Sequence, residues 1–326
     1  MNPAAGLYII AVTVLEVIQR STEFLAQKGL DSPRLQTELL LAHLLRLPRM
    51  QLYLNFERTL TPAELDSFRV LIKRRGQREP LQYIAGSTSF CGLEIGLSRE
   101  VLIPRPETEL LAEHGWIFLN QLATTSQSQS LNEAAAGQAS QGERGSEQPL
   151  RVLDFGTGSG CLGITLAVKC PKAQIHALDI SAGALALARE NAARHNVSDR
   201  IGFFQGDGFT PLPPGLRVDL IVANPPYIPS SELSALQPDV RDYEPHRALD
   251  GGPDGLDYYR RLSLESPPFL TSRGKIMLEI GDGQAEPVRS LFEEQKWIVE
   301  AIIADYTQRP RIVIAHRAGL SADGVA

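Results

Sequence analysis

From residue 151 onward the chain alternates short β-branched or apolar runs with longer stretches of helix-forming residues, and this alternation limits the fold more than any other feature. Arg151 to Phe155, Gln174 to Asp179, Ile201 to Gln205, Val218 to Ala223 and Lys275 to Ile280 read as strands. Residues 161–169, 182–195 and 284–296 read as helices between them. Strands separated by helices of this length argue for βαβ units and a mainly parallel sheet. Ile298 to Asp305 and Arg311 to Ala315 are joined only through Thr307-Gln308-Arg309-Pro310. That link is too short for a parallel crossover, so it predicts an antiparallel hairpin at one edge. The expected fold class is therefore α/β, a Rossmann-like sheet that is mostly parallel with an antiparallel edge hairpin.

A small all-helical domain is predicted to precede it, over residues 1–86. Leu15, Ile18, Thr22 and Leu25 share one helical face, and Gly29 follows as a stop signal. Ser32-Pro33 reads as an N-cap with proline at the first helical position, opening a segment in which Leu35, Leu39, Ala42 and Leu45 recur at helical spacing. Thr61-Pro62-Ala63-Glu64 has the form of a capping box, and its helix is expected to end at Gly76. Residues 87–121 read as a hairpin linker and the first helix of the catalytic region. Residues 122–149, rich in Ser, Gln, Ala and Gly, read as a disordered insertion, because such a composition buries too little apolar surface to offset the entropy of ordering. The α/β domain is then expected over 150–317, with a flexible tail at 318–326.

Charge is unevenly placed. Residues 1–86 carry 11 Lys+Arg against 8 Asp+Glu (+3), and residues 87–326 carry 21 against 30 (−9), for the overall −6. Lys73, Arg74, Arg75 and Arg78 cluster in the basic part, either as a face for an acidic protein or RNA or simply as a solvated helix face. Cys91, Cys161 and Cys170 form no C-x-x-C pair, and the six histidines include no pair at ligand spacing, so neither a disulfide framework nor a zinc site is indicated. The apolar stretch from Leu7 to Leu15 falls far short of a membrane span, and no basic residue precedes it as in a signal peptide. A cytoplasmic setting is expected.

Two motifs carry the chemistry. Asp154-Phe155-Gly156-Thr157-Gly158-Ser159-Gly160 follows the first strand of the α/β block and opens a helix. Glycines there allow a tight turn and let a ligand approach unpaired backbone N–H groups. Gly158-Ser159-Gly160-Cys161-Leu162-Gly163 also satisfies G-x-G-x-x-G, so this loop alone leaves a nicotinamide enzyme open. Asp179, at the end of the second strand, is placed to accept both hydroxyls of a ribose, with helix capping as its plainer role. Asp207 follows the third strand, near where an adenine ring would lie. The second motif, Asn224-Pro225-Pro226-Tyr227, ends the fourth strand. Its two prolines remove two N–H donors, leaving carbonyls and one Asn side chain as acceptors that suit a substrate NH2 group. A Pro-rich turn is the plainer reading of the same four residues.

Together the Asp-x-Gly-x-Gly-x-Gly loop and Asn-Pro-Pro-Tyr resemble the class I S-adenosylmethionine-dependent methyltransferases that act on exocyclic or amide nitrogen. Three further blocks narrow the likeness: Gln77-Arg78-Glu79-Pro80-Leu81-Gln82-Tyr83-Ile84-Ala85-Gly86, Leu102-Ile103-Pro104-Arg105-Pro106-Glu107-Thr108-Glu109 and Asp239-Val240-Arg241-Asp242-Tyr243-Glu244-Pro245. With them the chain, over about residues 13 to 317, resembles the peptide chain release factor glutamine methyltransferases, the HemK/PrmC family. The resemblance implies a helical domain that docks class 1 peptide chain release factors, and a catalytic domain that methylates N5 of the glutamine in their Gly-Gly-Gln loop. By the same resemblance Gly156, Thr157, Gly158, Ser159, Gly160, Asp179, Gly208 and Asn224 bind S-adenosylmethionine. Asn224, Pro225, Pro226 and Tyr227 hold the substrate, with Asn224, Pro225 and Tyr227 taking catalytic roles. Gly208 stands where some relatives carry a bulky residue, and the insertion at 122–149 is longer than the family pattern.

The mechanism expected is acceptance of one substrate amide hydrogen by the Asn224 side chain and of the other by the Pro225 carbonyl, with the Tyr227 ring against the planar amide. The main rival is a DNA or RNA adenine-N6 methyltransferase, since a flipped adenine presents the same planar NH2. Against it stand the acidic balance of residues 87–326 and the lack of a basic target-recognition region in the sequence. A reading of another class is a non-catalytic nucleoside-sensing module that binds protein.

Overall fold

The computed structural model describes residues 12–135 and 149–317. The expected tail at 318–326 and the 136–148 part of the insertion lie outside these residues. The chain divides into two units: residues up to Gly86 with Gln237–Tyr243, and Ser87–Leu236 with Glu244 onward.

The first unit is helical: α1 (Val14–Gln27), α2 (Pro33–Leu45), α3 (Arg49–Leu54), α4 (Pro62–Gly76) and α5 (Leu81–Ala85). Val14, Ile18, Leu25, Leu40, Leu41, Leu52 and Phe68 close its core. Thr61 and Glu64 form the reciprocal capping box, as Thr13 and Glu16 do for α1. Ser32 departs from expectation. It sits in the left-handed region at φ 45° and makes no side-chain cap. Its hydroxyl therefore leaves the first-turn amides of α2 to other partners, and Pro33 alone marks the start.

The basic cluster is neither a solvated face nor an open patch. Arg75 is buried and donates to the Glu79 carbonyl at 2.9 Å, to Gln36, and to Asp239 at 2.6 Å. Arg74 makes two 2.8 Å bonds to Glu79, and Arg78 binds the carbonyls of Lys28 and Gly29. A buried guanidinium needs such partners because its desolvation is otherwise uncompensated. Only Lys73 of the four is fully exposed.

The second unit opens with an antiparallel hairpin, β1 (Ser87–Phe90) and β2 (Leu93–Gly96), then α6 (Pro106–Ala135). Next come β3 (Leu150–Phe155), α7 (Cys161–Lys169), β4 (Ala173–Asp179), α8 (Ala182–Arg194), β5 (Ile201–Gln205) and β6 (Val218–Ala223). After α9 (Pro238–Arg241), which falls in the first unit, follow α10 (Asp257–Glu265), β7 (Leu270–Glu279), α11 (Ala285–Glu294), β8 (Trp297–Ala304) and β9 (Pro310–Arg317).

Residues 122–135 correct the reading of a disordered insertion, because they continue α6. Helix elongation adds one hydrogen bond per residue fixed, and the nucleus is already supplied by the packed Leu111, Ala112 and Leu119. Thr124 and Thr125 turn their hydroxyls onto the carbonyls of Asn120 and Gln121, so polar side chains that would favour a coil are satisfied inside the helix.

The seven-stranded sheet runs β5-β4-β3-β6-β7-β9-β8, parallel except that β9 is antiparallel to both β7 and β8. The last strand of the chain thus inserts between its neighbours and leaves β8 at the edge. Side chains alternate between two cores. Val152, Leu220 and Val222 face Leu111, Leu119 and Leu166 on one side, while Leu153, Ile221 and Ala223 face Tyr259, Leu262 and Phe292 on the other. Each such aliphatic side chain contributes about 1.5–3 kcal/mol on full burial. All six residues of β6 are buried, Asp219 included, which matches its nearly continuous apolar run. Helix α10 had no counterpart in the strand–helix alternation read from the sequence. Among the described residues no helix is long and apolar enough to cross a membrane.

Candidate active site

Strand order reverses at β3, which has β4 on one side and β6 on the other, and a crevice opens at the carboxyl ends of strands at such a switch point. Register sets what meets there. Phe155 pairs with Leu178 and with Ala223, so Gly156, Asp179 and Asn224 leave the sheet side by side. A cleft with about 1050 Å³ of empty space lies over these three ends.

The Gly156–Gly160 loop is pinned from below. Gly156 and Thr157 both donate N–H to the Leu178 carbonyl at 2.9 Å. Asp154, fully buried, accepts from the Thr157 hydroxyl at 2.6 Å and the Gly163 N–H at 2.9 Å. Burial pushes its carboxyl up to about 6, against the lowering pull of those two donors. Gly156, Gly158 and Gly160 all have positive φ. The space in front of Gly156 is open, whereas a Cβ at Gly160 would stand 2.8 Å from Ile164 Cδ1 and 3.2 Å from Ala188 Cβ. The first glycine therefore serves access and the last serves packing of α7.

Asn191 of α8 ties the loop to the hairpin. Its amide donates to the Ser159 carbonyl at 2.9 Å and to the Gly96 carbonyl at 3.0 Å, and accepts the Gly96 N–H at 2.8 Å. All of this is buried, so Asn191→Ala orphans three backbone groups at on the order of 1–3 kcal/mol each where water cannot enter. A thermal melt should show a drop of several degrees or more. An unchanged melting temperature would mean that water or a neighbouring side chain replaces the bonds.

Asp179 accepts the Gly158 N–H at 2.9 Å on one oxygen and the Ser181 N–H at 2.8 Å on the other. It braces the loop and also lines the cleft. A carboxylate offers about four acceptor positions, so the two backbone bonds leave capacity for a diol. Ser181 caps α8 through the Ala184 N–H. Gly208 lines the cleft at φ +65°, and a Cβ there would fall 2.0 Å from Arg261 Nη2. The Arg261 guanidinium lies across it, paired with Asp207 and at 3.1 Å from Glu265, so a side chain at this position would have to displace that guanidinium and would be strained at positive φ.

Asn224, Pro225 and Pro226 line the cleft together with Thr157, Gly158 and Ser159. Tyr227 does not. Its ring packs on the second core, and its carbonyl accepts from Gln284 at 2.9 Å. Burial pushes the phenol up to about 12, keeping it protonated. The partly buried ring contributes apolar area beneath the loop. Cys161 also lines the cleft, but burial pushes its thiol up to about 12. It therefore offers no thiolate nucleophile.

The residues present fit a nucleoside ligand. An open glycine turn at a helix N-terminus faces the cleft, a carboxylate with spare acceptor capacity stands at the next strand end, and a half-buried Tyr258 flanks Asp207 and Gly208.

Comparison with known proteins agrees in detail. Residues 16–86 match the PrmC N-terminal domain, and residues 145–237 match the methyltransferase small domain. The release factor glutamine methyltransferase of Geobacter sulfurreducens is 44% identical over 280 residues, covering 86% of this chain and 88% of that protein. Its counterpart in Chlorobaculum tepidum is 42% identical, with 92% and 95% covered, and that in Moorella thermoacetica 36%, with 94% and 99% covered. The chain belongs to the release factor glutamine methyltransferases. It is therefore a methyltransferase, and the nicotinamide reading of the glycine loop is set aside.

For this methyltransferase, reading the sequence missed what stands behind Asn224. Thr108 accepts from the Asn224 side chain at 3.1 Å and donates to Glu279 at 2.6 Å. Tyr258 and Arg261, both on the unanticipated α10, were missed as well. The signal for Thr108 was its place in the Leu102–Glu109 block, and the signal for Glu279 was a carboxyl near the end of the strand read over 275–280.

Proposed function

We propose that this chain transfers a methyl group from S-adenosylmethionine to the N5 amide nitrogen of the glutamine in the Gly-Gly-Gln loop of class 1 peptide chain release factors, in the cytoplasm, during translation termination. Family membership supports the substrate class. The observation that carries the chemistry is the strand register that sets Asn224 and Pro225 against the Gly156–Gly160 loop in one cleft.

When bound, S-adenosylmethionine supplies an electrophilic methyl group on a sulfonium. Gly156, Thr157, Gly158, Ser159 and Gly160 would hold it by close approach of the loop backbone, since the N–H groups of Gly156, Thr157, Gly158 and Gly160 are already bonded within the protein, Asp179 through its ribose hydroxyls, and Gly208 with Asn224 along the remaining walls. The chain's own task is to orient a poor nucleophile, since a carboxamide lone pair is delocalised into its carbonyl. Asn224 Oδ1 accepts one hydrogen of the substrate NH2, the Pro225 carbonyl accepts the other, and Pro226 shapes the wall beside them. As the nitrogen turns tetrahedral and gains positive charge, both acceptors bind it more strongly, which favours the transition state over the ground state. The nitrogen sheds its extra proton to water afterwards, so no side-chain base is required. The helical unit docks the release factor.

Incubation with labelled methyl donor and either a release factor, its Gln→Ala loop variant, or duplex DNA and RNA tests this reading. Label should enter the factor alone and vanish with the Gln→Ala change. Incorporation into nucleic acid instead would establish the adenine reading, and no incorporation at all would leave the binding module.

A further inference from the structure

The carboxyl end of β7 stands directly beside Asn224. Ala223 pairs with Leu278 across β6 and β7, so Asn224 and Glu279 leave the sheet as neighbours. Glu279 is 1% exposed and Thr108, from the first turn of α6, is 2% exposed. The Thr108 hydroxyl donates to Glu279 Oε2 at 2.6 Å and accepts the Asn224 Nδ2–H at 3.1 Å. Tyr259 holds the Glu279 backbone through a 2.9 Å bond to its carbonyl. Burying a carboxyl costs free energy, so its presence at this point calls for a function.

We infer that Thr108 and Glu279 are positioning residues that determine which end of the Asn224 amide faces the cleft. The inference rests on Asn224 Oδ1 being the acceptor for the substrate NH2. The two ends of a carboxamide have nearly the same shape, so hydrogen-bond partners decide its orientation. An ionised carboxylate only accepts. Thr108 must therefore direct its proton to Glu279 and turn a lone pair to Asn224, which answers with N–H and leaves Oδ1 for the substrate. A protonated Glu279 reverses the chain of bonds. It donates to Thr108, Thr108 donates to Asn224, and the Asn224 NH2 swings outward to oppose the substrate NH2.

The groups facing Glu279 set where that reversal falls. Burial raises its carboxyl, the Thr108 hydroxyl lowers it, Glu107 at the start of α6 raises it, and Arg311 of β9 and Arg105 before α6 lower it, leaving it at about 7; Tyr227 and Tyr259 pack alongside as neutral phenols. The productive orientation is present above about pH 7 and is lost as pH falls below it.

The test uses the full chain with a release factor substrate and the variants Thr108→Val, Thr108→Ser, Glu279→Gln and Asn224→Ala. Thr108→Val keeps the shape and removes the hydroxyl. It should lower kcat roughly ten- to a hundred-fold, the scale on which outer partners of a functional side chain act. KM and calorimetric affinity for S-adenosylhomocysteine should stay unchanged, and Thr108→Ser should restore kcat. Wild-type kcat should fall on the acid side of neutrality, and Glu279→Gln should lack that fall. Full kcat in Thr108→Val, a parallel loss of cofactor affinity, or an acid limb that persists in Glu279→Gln would each overturn the inference. If Asn224→Ala is slow while Thr108→Val is not, only the positioning role fails. If Asn224→Ala turns over normally, the acceptor reading fails with it.

Discussion

Asn224→Ala should lower kcat by about 10²-fold or more, the scale on which a preorganised polar group acts on developing charge. Asn224 is half-buried at the end of a strand whose six residues are all buried, so the substitution removes an acceptor from a rigid wall without disturbing the core. Affinity for S-adenosylhomocysteine should fall less than kcat, because Asn224 is one wall of the cleft while the glycine loop is held by Asp154, Leu178 and Asn191. KM for the release factor should also move less than kcat, since the lost bond strengthens only as the nitrogen becomes tetrahedral. Single-turnover kinetics would separate these effects. Near-normal turnover with intact cofactor binding would remove Asn224 from the mechanism.

The second large effect is on binding. Asp179→Ala deletes a carboxylate that accepts both Gly158 N–H and Ser181 N–H, and with it the acceptor proposed for a ribose. A hydrogen bond to a charged group contributes about 1.5–3 kcal/mol, so the dissociation constant for S-adenosylmethionine should rise roughly ten- to a hundred-fold or more. Calorimetry on the protein and cofactor alone reads this directly. Asp179→Asn should recover part of the loss, because its amide oxygen still accepts one bond, and unchanged affinity in Asp179→Ala would sink the ribose assignment.

Much of the fold was legible because periodicity and punctuation are local. The capping box at Thr61 and Glu64, the mostly apolar β6 and the glycine turn after β3 all follow from residues within a few positions of one another. Ser32 and the 122–135 segment were misread for the complementary reason. A serine before a proline favours a cap only if its backbone is extended, and a polar segment stays irregular only if no packed helix runs into it. Arg74, Arg75 and Arg78 read as a charged surface run until their partners, up to 164 positions away, were in place.

The same division runs through the site. The sequence by itself determined the pieces that line the cleft at the strand ends: the glycines, Asp179 and the acceptor-rich Asn-Pro-Pro segment, whose chemistry is a matter of residue type and of position at a strand end. Only the tertiary structure decided that Tyr227 packs against the second core, that Arg261 occupies the space over Gly208, and that Thr108 and Glu279 stand behind Asn224. Strand register does not follow from any one strand's residues. Pairing Ala223 with both Phe155 and Leu278 sets Asn224 between the cofactor loop and a buried carboxyl 55 residues further along the chain.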